Sequence, residues 1–263
     1  MQIYARIYDS RWITKSAAVL AAATTSSSEI ILAGFTDGNM EPNSKFSGGN
    51  SCEYGTCTDS GWVAKFGTDK IVKWGFQVTP EVSAFINYAN QRARFTAVAV
   101  NGDQVWAVGY INDKPQGCGS CTAIGGDDVI RYIFSASSGS NSNQFIEGTS
   151  SDDRALGVRF SGQVHYVGGQ SKGDWGNGQG NAGDWDIFLM KIAASGLAEW
   201  TVTYGSSAAD EFGALEVHSS GDIYVAGNTK GSLQGSHNGG TYDYFLAKFQ
   251  ASDGQRQWLL GFT

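Results

Sequence analysis

An all-β fold of repeated four-stranded units is predicted by three observations. Apolar and polar residues alternate in short runs bounded by Gly, Ser and Asn, and no sustained 3.6-residue periodicity appears. Thirty-six glycines stand against three prolines and 13% of the residues are aromatic, as expected when tight turns join aromatic-rich strands. Landmarks also recur. Gly34, Gly109, Gly168 and Gly227 close one run, and Trp12, Trp74, Phe145, Trp200 and Trp258 mark a later one. Arg6, Lys65, Lys191 and Lys248 form a basic column that Ile133 interrupts. Their spacing of about 60 residues is somewhat longer than the ~40 to 50 of common propeller repeats. The expectation is a β-propeller of four full units plus a half, filling four to five blade positions.

In chain order, residues 1–12 read as the back half of a unit: Ile3, Ala5 and Ile7 alternate, Arg6 takes the basic place and Trp12 the aromatic one. Four complete units follow over about 13–74, 75–145, 146–200 and 201–260, expected as a single domain over 1–263. In each unit a first strand (Ala17–Ala22, Phe95–Val100, Leu156–Phe160 or Ala214–Val217) precedes the run that ends at the glycine. A long loop (35–59, 110–127, 169–185 or 228–242) leads to the third strand, and a short turn to the fourth. Antiparallel succession puts the long loops and the links between units on one face, and turns such as Asn101-Gly102 and Ser220-Gly221 on the other. The link Thr79–Gln91 opens with Thr-Pro-Glu, an N-cap and first turn, and predicts a short helix on the long-loop face. Long loops are uncommon without a role, so function is expected on that face.

The unit is clearest near the C-terminus, in SSGDIYVAGNT (219–229), YDYFLAKF (242–249), an SDG turn (252–254) and Trp258. These phrases resemble the SBBP-type β-propeller repeat, most strongly over 148–260 and less so over 17–140. The resemblance implies the propeller fold and an extracytoplasmic setting. It implies no catalytic residue, because the shared motif is structural.

The formal charge of −7 argues against nucleic acid or an anionic membrane as partner, since phosphates reward clustered Lys and Arg. No apolar run approaches the ~18 residues of a transmembrane segment. The start, MQIYARIYD, has neither the basic nor the apolar region of a signal peptide. Cys52 and Cys57, and Cys118 and Cys121, lie in equivalent loops of successive units. Two local disulfides are the favoured reading, with crossed bridges, a four-thiolate zinc site and thioredoxin-like redox chemistry as alternatives. Disulfides imply an extracellular, cell-surface or otherwise oxidising location.

Gly169-Gln170-Ser171-Lys172-Gly173 has the G-x-S-x-G form of a hydrolase nucleophile. The equivalent Gly34-Phe35-Thr36-Asp37-Gly38 and Gly227-Asn228-Thr229-Lys230-Gly231 make its hydroxyl a repeated turn feature. Gly178–Gly183 has the G-x-G-x-x-G form but precedes a strand and opens no helix, so a dinucleotide is rejected. The same loop carries Asp174, Asn177 and Asp184, weak calcium candidates without EF-hand spacing. His165, His218 and His237 do not converge on a nucleophile or a zinc site. Trp175, Trp185 and Tyr242, beside Gly-rich loops, and Phe85, Ile86 and Tyr88, in the link, are the partner-binding candidates. The chain therefore reads as a non-catalytic scaffold without cofactor, presenting loops to a protein partner within a larger assembly. The alternative is a secreted lectin, disfavoured because glycan pockets repeated blade by blade need similar loops and these differ.

Overall fold

The computed structural model describes residues 17–37, 46–48, 59–81, 91–116, 118, 121–176, 182–233 and 242–262. Among them every regular element is a strand, in four sheets. The first holds β1 (Ala17–Thr24), β2 (Ile30–Thr36), β4 (Ser60–Phe66) and β5 (Val72–Val78), with a short β3 (Phe46–Gly48) on its rim. The second holds β6 (Ala93–Asn101), β7 (Gln104–Ile111), β8 (Asp128–Ser135) and β9 (Asn141–Glu147). The third holds β10 (Asp153–Ser161), β11 (Val164–Ser171), β12 (Asp186–Ile192) and β13 (Ala198–Tyr204). The fourth holds β14 (Asp210–Val217), β15 (Ile223–Thr229), β16 (Asp243–Phe249) and β17 (Arg256–Phe262). Apart from β3, each is an antiparallel meander of four strands taken in chain order. The predicted half unit over 1–12 and the helix expected within Thr79–Gln91 fall outside the described residues, apart from residues 79–81 and Gln91, which are not helical.

The glycine column has a backbone cause. Every first strand carries a β-bulge, between Val19 and Ala21, Phe95 and Ala97, Ala155 and Gly157, and Phe212 and Ala214. The residue opposite the bulge on the second strand is Gly34, Gly109, Gly169 or Gly227. A Cβ at those four places would collide with the carbonyl oxygen of Ala18, Arg94, Arg154 or Glu211. The extra residue turns a first-strand carbonyl onto its neighbour, and only glycine leaves room. The third member of the column is thus Gly169, and not Gly168 as the spacing suggested.

The basic and aromatic columns are one feature. Lys65, Lys191 and Lys248 stand directly across the strand pair from Trp74, Trp200 and Trp258. Each lysine is also ion-paired, to Glu29 at 2.6 Å, Glu199 at 2.7 Å and Asp222 at 2.9 Å. The second sheet lacks both members. Strands β9 and β13 each have seven residues, and the third place, Trp200 in one, is Asn143 in the other. Phe145, assigned to the tryptophan column by spacing, instead lies 4.3 Å under the guanidinium of Arg131, a fully buried arginine also 5.7 Å from the Trp106 ring.

Two compact units divide the chain, residues 1–123 with 130–146, and residues 124–129 with 147–263. Each has its own apolar core. The first gathers Val63, Phe95, Val105, Ile130, Tyr132 and Phe134; the second gathers Tyr166, Leu189, Leu215, Val225, Phe245 and Phe249. Within each unit a tryptophan joins one sheet to the next. Trp74 Nε1 donates to the Ala136 carbonyl at 3.0 Å, and Trp200 Nε1 to the Ala251 carbonyl at 3.3 Å. Gly139 and Gly254, both at φ 73°, turn beneath these indoles, where a Cβ would come within 2.5 Å and 2.9 Å of the rings. Trp258 was expected in the same setting. It is 37% exposed and touches Tyr224 of its own sheet, because it lies on the last sheet of its unit.

Candidate functional site

The edge from which the long loops leave is lined by buried polar rows. In the third sheet Asp153, Ser171 and Asp186 stand side by side across three strands; in the fourth Asp210, Thr229 and Asp243 do. All six are buried. Ser171, the serine of the nucleophile-like motif, donates to Asp153 Oδ1 and accepts the Gly173 N–H at 2.9 Å. Thr229 accepts the Gly231 N–H at 3.0 Å in the same turn one sheet later. Both hydroxyls close a three-residue turn, which explains their recurrence.

The acids are tied down in a repeated way as well. Asp153 Oδ2 accepts the Thr149 N–H at 2.6 Å and its hydroxyl at 2.9 Å, and Asp210 Oδ2 accepts the same pair from Ser206 at the same distances. Burial pushes the carboxyls of Asp153 and Asp210 above the usual range, and those of Asp128 to about 6 and Asp186 to about 7. Asp186 and Asp243 each stand five residues before a lysine of the basic column, Lys191 or Lys248. The G-[ST]-x-x-x-D phrases at 148–153 and 205–210 were the overlooked signal for Asp153 and Asp210.

Three aromatic candidates lie on this edge of the second unit, each with its own neighbours. Trp185 and Tyr242 precede the first residue of β12 and of β16, so they are equivalent. Lys172 Nζ lies 4.9 Å from the Trp185 ring and Lys230 Nζ 4.7 Å from the Tyr242 ring. Arg154 adds a second cation 4.8 Å from Trp185, and Tyr242 Oη donates to Glu211 at 2.9 Å. Trp175 is half-buried, its ring 5.3 Å from Phe188. Tyr242 is 39% exposed, and Tyr244, the second residue of β16, is 61% exposed.

In the first unit the link and the third-strand loop are laced together. Glu81 N–H donates to the Lys114 carbonyl at 2.7 Å and Gln116 N–H to the Thr79 carbonyl at 2.8 Å, on either side of a Pro80–Pro115 bridge. Lys114 pairs with Glu81 at 2.8 Å, and Gln91 Nε2 donates to the Glu81 carbonyl at 2.9 Å and to Asp113 at 3.2 Å. Phe85, Ile86 and Tyr88, between these anchors, lie outside the described residues, as do Cys52 and Cys57. Cys118 and Cys121 form a disulfide, to which Gln144 Nε2 donates at 3.1 Å. The opposite, short-turn edge of this unit is not featureless. Thr25, Ser27, Glu29, Lys65, Asp103 and Ser137 line a cleft of about 330 Å³ there, formed by turns too short to stand out in the sequence.

Two of the calcium candidates lie among the described residues, each beside a partner of its own. Asp174 accepts the Gly176 N–H at 2.8 Å in a local turn, Asp184 lies 3.7 Å from Lys172, and Asn177 is outside the described residues. No group of three metal-ligating acids, histidines or cysteines occurs among the described residues. His165 is buried with its ring 4.7 Å from Phe160, and His218 lies 2.9 Å from Ser220 at a turn. No helix among the described residues is long and apolar enough to cross a membrane.

No family model matches the chain. Over 81 residues it is 38% identical to "Regulatory protein FlaEY" of Caulobacter vibrioides. That stretch, longer than one of the ~60-residue units, is 30% of this chain and 8% of that protein, so the similarity spans a small part of the relative's length.

Proposed function

We propose that the four sheets are blades of a single propeller domain of SBBP-type repeats, and that the protein is a non-catalytic scaffold presenting its long-loop edge to a protein partner. The observation that carries this reading is the covering of the edge aromatics. Sugar recognition by stacking needs an open ring face, yet Trp185 has a cation on it from Arg154 and another from Lys172, and Tyr242 has Lys230. Such cation-clad aromatics suit the polar, Tyr- and Arg-rich centre of a protein interface. Two further observations support it. The nucleophile-like serine is a turn hydroxyl. The link and loop of the first unit are braced by ion pairs and main-chain bonds, which lowers the ordering cost of binding. The Cys118–Cys121 bridge fits an extracellular or other oxidising location. The regulatory role in the relative's name carries no weight here, given how little of that protein is matched.

The reading is tested by screening wild type and the triple variant Phe85→Ser, Tyr88→Ser, Tyr242→Ser against extracellular protein fractions and a glycan array. The expected outcome is a protein ligand lost with the triple change at unaltered melting temperature. Saturable glycan binding without a protein ligand would favour the lectin instead.

A further inference from the structure

Asp186 begins β12 and Asp210 begins β14, in neighbouring sheets of the second unit, and neither is exposed to solvent. Both carboxyls lie against the Gly205–Ser206 peptide, Asp186 Oδ1 beside Gly205 and Asp210 Oδ2 on the Ser206 N–H, near enough to act on each other. One oxygen of each is served: Asp186 Oδ2 accepts the Ala182 N–H at 2.7 Å, and Asp210 Oδ2 accepts the Ser206 N–H at 2.6 Å. The Oδ1 atom of each is buried and has no hydrogen-bond donor among the described residues. Gly205 lies against Asp186 Oδ1, where any Cβ would collide. Thr229, close enough to moderate the effect of burial on Asp210, donates its hydroxyl to the Gly231 carbonyl at 3.1 Å.

The preceding junction supplies a comparison. There Asp128 and Asp153 also approach, both near the place a Gly148 Cβ would occupy, but all four of their oxygens have donors. Asp128 Oδ2 accepts Ile124 N–H at 2.7 Å and Oδ1 accepts Gly125 N–H at 3.1 Å; Asp153 Oδ1 accepts the Ser171 hydroxyl and Oδ2 the Thr149 N–H at 2.6 Å. Neither Oδ1 of the Asp186–Asp210 pair is reached by bulk solvent, and among the described residues no donor meets either one. Two buried carboxylates cannot both stay ionised side by side, whereas one proton between them gives each undonated oxygen a partner.

We propose that Asp186 and Asp210 share one proton, making the junction of the third and fourth sheets a pH-sensitive joint that holds more tightly in mildly acidic solution than in alkaline. The shared proton is held on folding, and Asp186 keeps it up to about pH 7, mainly because of burial. An unfolded Asp releases it near the ordinary value of about 3.9. Between those two values folding takes up a proton, so stability falls as pH rises through the window and levels off above it. Other charges face the pair. Asp184 adds repulsion from the same loop, with Lys172 beside it at 3.7 Å; Asp243 lies across Thr229; Lys230 and Glu211 flank the Tyr242 ring.

Asp186→Asn tests the proposal, because its amide oxygen can accept from Ala182 while its NH2 donates to Asp210 Oδ1 without needing a proton. The melting temperature of the wild-type chain should fall by several degrees between pH 5 and pH 8. That of the variant should fall less and lie above wild type at pH 8. Comparing the two at each pH cancels the contribution of His165 and His218. Equal slopes, or a variant lower by the same amount at both pH values, overturn the proposal. So does calcium chloride raising the wild-type melting temperature at pH 8 with no effect on the variant, which would make the pair a cation site. Infrared spectroscopy of the wild type needs no variant to fold: the carbonyl stretch of a protonated carboxyl is expected at pH 6, and its absence sinks the idea.

Discussion

A lysine across the strand pair from a tryptophan, each lysine ion-paired, recurs in three of the four sheets and shows how one side chain does different work in different surroundings. Trp74 and Trp200 donate to the turn of the following sheet in their unit and sit over a glycine whose positive φ lets the chain pass beneath. Trp258 has no such turn over it among the described residues and remains exposed. Truncating a buried, hydrogen-bonded indole loses its transfer energy and leaves a cavity, so Trp200→Ala should destabilise by about 3 to 5 kcal/mol. Trp258→Ala should cost less than about 1 kcal/mol, as surface changes do. Urea midpoints of the two variants check this; equal losses would mean that Trp258 is covered in solution.

At the scale of elements, alternation and glycine punctuation place each first strand within about four residues of its start, at Ala17, Ala93, Asp153 and Asp210. Register is less legible. Two adjacent glycines, Gly168 and Gly169, look alike in the sequence, and the bulge at Ala155–Gly157 decides which one carries the crowded place. The loss of the lysine at Ile133 hinted that the second sheet lacks the pair, but Phe145 was read as a tryptophan substitute because ring type outweighed spacing within the strand. Strand β3 left no trace, since three residues carry no period. It pairs parallel with β5, so it covers a rim that would otherwise expose unpaired main-chain groups. The Cys118–Cys121 bridge closes too short a loop to gain much chain-entropy stabilisation, and its effect is to fix the loop beside Gln144. Intact-mass measurement before and after reduction should show this bridge in peptides containing residues 118 and 121. Free thiols there would remove the case for an oxidising location.

For the whole molecule, repetition explains most of what the sequence made legible and also what it hid. Places that every unit needs, such as the bulge glycine or the turn hydroxyl, return at unit spacing and were readable as scaffold. The candidate edge depends on what varies between units. Cations over Trp185 and Tyr242 come from residues distant in the chain, and the bonds that brace the link run between segments about 30 residues apart, beyond the reach of local pattern. The binding role assigned to that edge is tested most directly by site-specific photo-crosslinking in extracellular extract. A photoreactive residue would replace Tyr242 on the long-loop edge or, in parallel, Gln163 in the short turn between β10 and β11. Protein adducts from position 242 and none from position 163 are predicted. Adducts from 163 alone, or no protein adduct from either beside saturable glycan binding, would contradict it.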